Sequence, residues 1–273
     1  MRVLVYIEEN LDKALELKDL AKVAQISTFH FHRIFLAIMG ETVQSYIKQL
    51  RLKAAAGLLR YSERPIIEIG QEVGYESHAA FTKMFNRMIG LLPSLYRERM
   101  RPLVAHIIQR TQTKRESVKV EYIVRKKEEV LFVRRVGDYQ KTPEDAFKTL
   151  IAFLESEHKM NQIKAFYGVG LDDPSITDLG KLRFDACVSL KEHVSAKGEV
   201  GKRVFLAGPY ARFIHKGAYA QLEKSFLDIF QCWYPNSDKE VADGQPIFEY
   251  PELLDDTIPE NERITYIYLP LKW

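Results

Sequence analysis

The sequence predicts a multidomain fold. An all-α N-terminal domain with two helix-turn-helix units joined by a long helix is followed by an α+β domain made of two similar halves. Three observations predict it. A helical segment is written twice, about fifty residues apart: Ser27-Thr28-Phe29-His30-Phe31-His32-Arg33-Ile34-Phe35 and Ser77-His78-Ala79-Ala80-Phe81-Thr82-Lys83-Met84-Phe85. After Val118 the pattern changes to short runs of β-branched and aromatic residues interleaved with two helical stretches, an α+β signature. Within that second part, Val136-Gly137-Asp138-Tyr139 and Lys216-Gly217-Ala218-Tyr219 each link a strand-like run to a helix-like one.

In chain order, Val3 to Leu17 has apolar residues near helical spacing and predicts a support helix. Leu17, Leu20, Ala21 and Ala24 mark the first helix of unit one; Ile66, Ile69, Gly70 and Val73 mark its equivalent in unit two, after Pro65. Each following helix opens on a serine, Ser27 or Ser77, whose oxygen can accept from a free backbone N–H. Each closes at a glycine, Gly40 or Gly90, suited to a left-handed stop. The first helices are offset by 49 residues and the second by 50, so the extra residue belongs in Gly74-Tyr75-Glu76. Thr42 to Tyr61 reads as the long amphipathic connector. The basic stretch Arg99 to Ser117 ends the first part, giving expected bounds of 1–106, a linker over 107–117, and 118–273. Beyond it, strands are expected over Val120–Val124, Val130–Val136, Phe184–Leu190, Arg212–His215 and Ile264–Leu269, and helices over Pro143–Lys159 and Leu222–Trp233. Two similar halves facing each other would leave a cleft, a favoured ligand site.

At 273 residues with 46% hydrophobic and 28% charged content, the composition is that of an ordinary globular protein. No apolar run approaches the roughly 18 residues of a membrane span, and the N-terminus lacks a signal-peptide pattern, so a cytoplasmic protein without membrane association is expected. Cys187 and Cys232 lack partners at metal-ligand spacing and read as reduced thiols. No catalytic constellation, cofactor motif or metal site is expected. Residues 1–117 carry 18 Lys and Arg against 12 Asp and Glu, whereas residues 118–273 carry 22 against 25. That asymmetry assigns phosphate contact to the first part.

The repeated helices carry the candidate DNA contacts. In the first, Phe31, Ile34, Phe35 and Ile38 predict the buried face and leave Phe29, His32 and Arg33 outward. In the second, Phe81, Phe85 and Met88 are expected inside, with His78, Ala79, Thr82, Lys83 and Asn86 outward. Arg33 has the planar fork that fits guanine O6 and N7 together; Lys83, its counterpart, lacks it. Arg51, Lys53 and Arg97 are expected as phosphate anchors.

These residues resemble a known family. Leu20-Ala21, Ser27 with Phe31-His32-Arg33 and Phe35, Gly40, Tyr46-Ile47, Arg51-Leu52, Ala55, Leu58-Leu59, Ile69, Gly74-Tyr75, Ser77, Phe81, Phe85, Gly90, Pro93-Ser94 and Tyr96-Arg97 resemble the DNA-binding domain of AraC-type transcription regulators. The resemblance implies groove-facing positions at Phe29, His32, Arg33, His78, Ala79, Thr82 and Lys83. Two residues depart from the pattern: Gln25 stands where Gly is usual, and Gly70 where Ala is usual. Residues 118–273 resemble the GyrI-like effector-binding domain through the repeated Gly-x-Tyr turns, Gly168 with Asp172-Asp173-Pro174, Arg183-Phe184-Asp185-Ala186-Cys187, Phe248-Glu249-Tyr250 and Ile267-Tyr268-Leu269-Pro270-Leu271. The whole arrangement is similar to Rob-type regulators.

The resemblance implies a bacterial regulator, an activator by analogy, that binds promoter double-stranded DNA, senses a small effector and contacts RNA polymerase. Two reading helices per chain suit a monomer as well as a homodimer. In related multidrug-sensing domains a buried Glu among aromatics binds lipophilic cations; Glu249 matches it. A carboxylate in an aromatic cleft needs a paired charge, and aromatic faces attract the same cation. The candidate lining is Tyr139, Tyr167, Phe184, Tyr219, Trp233, Phe248, Tyr266 and Tyr268. The competing readings are a hydrolase of small electrophiles, with Glu249 as general base beside a pocket Tyr, and a protein-docking module without a small ligand.

Overall fold

The computed structural model describes residues 2–62, 64–100, 118–174, 177–242 and 244–273. The linker expected over 107–117, with its basic residues, lies outside the described residues. The chain divides into two compact units, Met1–Ala105 and His106–Trp273.

The first unit is helical: α1 (Arg2–Glu8), α2 (Leu17–Ala24), α3 (Thr28–Met39), α4 (Val43–Tyr61), α5 (Ile66–Glu72), α6 (His78–Ile89) and α7 over residues 93–100. The expected support helix to Leu17 stops at Glu8 instead. Two glutamates, Glu8 and Glu9, oppose the dipole of a continuing helix end, and the Asn10 side chain folds back to donate to the Tyr6 carbonyl at 2.8 Å. Leu11 and Leu15 still reach the core from the following turn.

Two helix pairs, α2–α3 and α5–α6, are built alike. Both first helices end in the same backbone motif. Ile26 N–H donates to Ala21 O and Gln25 N–H to Lys22 O; Tyr75 N–H donates to Gly70 O and Gly74 N–H to Gln71 O. The left-handed residue is Gln25 (φ 60°) in one and Gly74 (φ 82°) in the other. Ser27 Oγ accepts from His30 N–H at 3.3 Å, and Ser77 Oγ from Ala80 N–H at 3.2 Å. Gly40 (φ 73°) and Gly90 (φ 78°) stop α3 and α6. Matching edge-to-face or tilted aromatic ladders fill the cores, Phe31–Phe35–Tyr46 and Phe81–Phe85–Tyr96. Gly70 has a packing reason: a Cβ there would lie 3.0 Å from the Phe81 ring.

The second unit is an antiparallel sheet with helices. Its strands are β1 (Val120–Arg125), β2 (Glu128–Val136), β3 (Ile163–Gly170), β4 (Arg183–Leu190), β5 (Gly201–Phe205), β6 (Gly208–Lys216), β7 (Ile247–Glu249) and β8 (Ile264–Pro270). Three of them, β3, β5 and β7, are absent from the expected runs. β3 carries Gly168 and Gly170, which lower strand propensity; at Gly168 a Cβ would lie 2.7 Å from the Phe184 ring, so the glycine admits close packing. β5 carries two cations among five residues, and β7 has only three residues.

The sheet is eight-stranded, in the order β1-β6-β8-β7-β3-β4-β2-β5. Reading outward from the β7–β3 join in either direction gives the same succession of equivalent strands. The two halves join edge to edge, where Tyr167 pairs with Glu249 and Gly168 with Phe248, and the sheet curls so that Arg125 of β1 in one half meets Glu128 of β2 and Tyr167 of β3 in the other. One face of the sheet packs on helices. α8 (Thr142–Ser156) covers Leu131, Val133, Phe166, Phe184 and Val188. α9 (Leu222–Asp228), which widens into a π turn over Ile229–Trp233, covers Ala211, Phe213, Ile267 and Leu269. Among the described residues, no helix is long and apolar enough to cross a membrane.

Candidate functional sites

On α3 the buried residues are Phe31 and Phe35 alone; on α6 they are Phe81 and Phe85 alone. Ile34 and Ile38, expected inside, are exposed, Ile38 at 74%, and Met88 is exposed too. The reason is geometric. Each helix rests on its neighbours through a narrow i, i+4 seam, and α3 is apolar at so many positions that its periodicity does not single out that seam.

The candidate DNA contacts stand clear of the seam. Phe29, Arg33, His78, Ala79, Lys83 and Asn86 are exposed, and His32 and Thr82 are half-buried at equivalent positions. Phe29 is 66% exposed, unusual for a ring of its size, and the Arg33 guanidinium lies over it at 5.5 Å. Thr82 Oγ1 lies 3.5 Å from His78 Nε2.

Arg51 is not a phosphate anchor. Its guanidinium donates to the backbone carbonyls of Leu11 (2.9 Å), Lys13 (2.7 Å) and Gly74 (2.9 Å), tying the turn after α1 to the turn between α5 and α6. Burial pulls its pKa down from the ordinary arginine value. Arg97 likewise donates to the Arg64 carbonyl at 2.6 Å.

In the second unit the candidate effector residues divide between the two faces of the sheet, those on strands by alternation. Tyr139, Phe184, Tyr219, Trp233 and Phe248 lie on the helix-covered side, in or against the two core clusters. Tyr139 spans there between backbone groups of Asp172 and Arg183. Glu249, Tyr167, Tyr266 and Tyr268 lie on the opposite face. Tyr268 Oη donates to Glu249 Oε2 at 2.5 Å, and Tyr167 Oη donates to Glu128 Oε2 at 3.1 Å.

Between these groups lies a residue the sequence did not single out. Arg125, at the end of β1, has its guanidinium carbon 4.5 Å from the Tyr268 ring centre, 5.3 Å from Tyr167 and 5.9 Å from Tyr210. Its Nη2 donates to Glu128 Oε2 at 3.1 Å, and its Nη1 stands 3.9 Å from Glu249 Oε2. Phe205 packs edge-on to Tyr167 and closes one side. The site is thus a tyrosine cage in which Glu128 and Glu249 share the Arg125 guanidinium, while Arg212, over the Tyr266 ring at 4.9 Å, is paired with Glu121, so one negative charge is in excess. Arg125, Glu128, Tyr210 and Phe205 were missed because only the strand order brings β1, β2, β5 and β6 to Glu249. In the sequence, Arg125-Lys126-Lys127-Glu128 reads as an ordinary charged turn.

Burial, reinforced by the Glu249 hydrogen bond, pushes the Tyr268 phenol well above its usual range. Burial and Glu128 push Tyr167 to about 12. Burial works against the Arg125 charge, but Tyr167, Tyr268 and Glu128 outweigh it and hold the guanidinium above its ordinary value. The same face of the other half is closed by ion pairs. Asp185 accepts from Arg134 at 2.6 and 2.9 Å and from Arg203 at 2.6 Å, all buried or half-buried. Among the described residues no group of His, Cys, Asp and Glu could hold a metal ion.

Comparison with known proteins agrees with this division. Residues 20–99 match the helix-turn-helix domain family, and residues 125–272 match the GyrI-like small molecule binding domain. Regulatory protein SoxS of Escherichia coli is 36% identical over 98 residues, 36% of this chain and 92% of SoxS. The MmsAB operon regulatory protein of Pseudomonas aeruginosa is 38% identical over 96 residues, 35% of this chain and 31% of that protein, so the match spans under a third of its length. A cryo-EM structure of an EcmrR–DNA complex aligns over 94% of this chain and 99% of that one, at 14% identity and a TM-score of 0.48. Two matched families, one per unit, define a helix-turn-helix regulator coupled to a small-molecule-binding domain. More particularly, the chain belongs to the AraC-type transcription regulators that carry a C-terminal GyrI-like domain.

Proposed function

We propose that this chain is a transcription activator with two reading units, α2–α3 and α5–α6, spaced by α4, which dock α3 and α6 in two successive major-groove segments of a promoter. Residues 1–106 form the DNA-binding domain, 107–117 the linker and 118–273 the effector domain. Phe29, His32, Arg33, His78, Ala79, Thr82, Lys83 and Asn86 face the bases, and a monomer suffices. The effector is a small lipophilic cation held at Glu249 by Tyr167 and Tyr268, with Tyr266 at the margin, and its binding alters the DNA-bound state or contact with RNA polymerase. The observation that carries the effector half is the tyrosine cage with its excess negative charge: half-buried carboxylates and ring faces together favour a cation. The DNA half is supported by the matching exposed positions of α3 and α6.

The Glu249–Tyr268 hydrogen bond also favours a second reading, hydrolysis of small electrophiles. Tyr268 is 3% exposed and its phenol is held protonated, which makes it a poor nucleophile and a poor acid near neutrality. We therefore infer a sensor rather than a catalyst.

The experiment is selection of DNA sites from a random pool with the full chain, with and without a lipophilic cation such as tetraphenylphosphonium. Two half-sites about 10 base pairs apart are expected, with enrichment that shifts when the cation is present. A single half-site would overturn the two-reader reading, and site enrichment and transcription by RNA polymerase from the selected site that are both unchanged by the cation would overturn the sensor reading.

A further inference from the structure

Resting on the reading of this face as a cation site, we infer that Arg125 is a tethered occupant: the chain fills its own ligand cage with a guanidinium, and an effector binds by displacing it. The centre of the cage is already engaged by Arg125. Three tyrosine rings lie within 6 Å of its guanidinium carbon, one carboxylate bonds it at 3.1 Å and another stands at 3.9 Å. The side chain is 10% exposed while Glu249 is 21% exposed, so the guanidinium plugs the cage and the far carboxylate keeps an open side. The geometry at Glu249 is unequal: Tyr268 satisfies one oxygen closely, whereas the Arg125 distance exceeds that of a hydrogen bond. A better-seated cation can therefore improve on Arg125 there.

Displacement has somewhere to go. Arg125 and Glu128 border an open cavity of about 590 Å³ that runs from the β1–β2 turn to the end of β4, where Glu129 and Glu192 stand among Lys126, Lys127, Lys164 and Lys191. A long flexible side chain at the end of a strand can rotate into that space without unpairing β1 from β6. The cage also sets the ligand class. It holds a flat, delocalised cation over the Tyr268 ring, so amidinium and guanidinium compounds, and cations with flat aromatic groups, compete best. Compact ammonium ions, strongly hydrated and without a plane, compete worst. Affinity in the wild-type chain is lowered by the fraction of time Arg125 holds the cage, which is a built-in threshold for effector concentration.

The test measures binding of benzamidinium, neutral benzamide and tetraphenylphosphonium by calorimetry to the full chain and to Arg125→Ala. The expected result is benzamidinium binding about tenfold or more tighter to Arg125→Ala than to wild type, the gain reflecting a vacated cation–π site. Benzamide should gain nothing, and adding Glu249→Gln should erase the gain. Removing Arg125 leaves two carboxylates without their cation, so Arg125→Ala/Glu128→Gln is the variant to use if the single one does not fold. Wild type supplies an independent readout. Phenylglyoxal should label Arg125 slowly in the free chain and faster once tetraphenylphosphonium is bound. Glu249-dependent cation binding with unchanged Arg125 labelling and no gain in Arg125→Ala overturns the tethered occupant and leaves the sensor reading standing. Failure of every form to bind any cation overturns both.

Discussion

The two helix pairs of the first unit share one skeleton and differ at two places, the turn and the exposed face. Their serine caps, glycine stops and aromatic ladders correspond residue by residue at an offset of 50. Their turns end in the same hydrogen-bond pattern, but one uses Gln25 and the other Gly74 for the left-handed step. On the exposed faces, Phe29 and Arg33 of the first stand where Ala79 and Lys83 stand in the second. The skeleton is what burial demands of either pair. The differences mark where each pair answers to something else, the Arg51 tie in one turn and, under the proposed reading, DNA on the two faces.

The largest effect should come from the turn that cannot vary. At Gly74 a Cβ would lie 2.5 Å from the Leu11 carbonyl oxygen and 2.7 Å from the Arg51 guanidinium, at a φ of 82°. Gly74→Ala should therefore destabilise the first unit by roughly 2–5 kcal/mol, combining the left-handed penalty with overpacking against backbone. Urea denaturation followed by far-UV circular dichroism checks it. A loss below about 1 kcal/mol, the ordinary cost of a non-glycine left-handed residue, would mean that Arg51 does not crowd this turn.

The exposed faces come next. If the first helix discriminates bases more strongly than the second, Arg33→Ala should cost roughly 1–3 kcal/mol on the selected site and relax base preference there, whereas Lys83→Ala should relax base preference less and weaken selected and random DNA more nearly alike. Fluorescence anisotropy on both DNAs at several salt concentrations separates them. Equal losses on both DNAs for Arg33→Ala would reduce Arg33 to a phosphate contact and erase the distinction between the helices.

What was legible in the sequence follows the same line between local and distant causes. Ser27, Ser77, Gly40 and Gly90 act within one helix turn, so their spacing declares them. Ile34, Ile38 and Met88 were misread because apolar residues on several sides of a helix leave the choice of seam to the neighbouring helices. Arg51 reads as a free surface charge until Leu11, Lys13 and Gly74 present their carbonyls to it. The same holds for the cage. Glu249 was found through its Phe-Glu-Tyr setting, but Arg125 and Glu128 reach it only through a strand order in which β1 and β2 lie on opposite sides of the β7–β3 join. Five of the eight aromatic candidates fell on the helix side: Phe184 and Phe248 through strand alternation, and Tyr139, Tyr219 and Trp233 because they belong to the turns and helix that cover that side.

The smallest effect tests the turn that can vary. Gln25 sits at φ 60°, ψ 36°, close to the centre of the left-handed well. The strain of a side chain there is on the order of 1–2 kcal/mol, and glycine would remove it while adding about 0.4–1 kcal/mol of unfolded-chain freedom. Gln25→Gly should therefore stabilise the first unit slightly, by about 0.5–1 kcal/mol, since the strain relieved exceeds the entropy gained by the unfolded chain. The same denaturation measurement reads it as a small rise in midpoint at constant slope. The sign matters more than the size. A rise means that Gln25 is held in spite of the backbone, so something outside the turn keeps it, and its exposed position one residue before Ile26 and two before the Ser27 cap makes nucleic-acid contact the reason to examine. A fall means that the side chain itself supports the turn. The two pairs would then differ by two solutions of one folding problem, and the asymmetry between them would lie in the exposed faces alone.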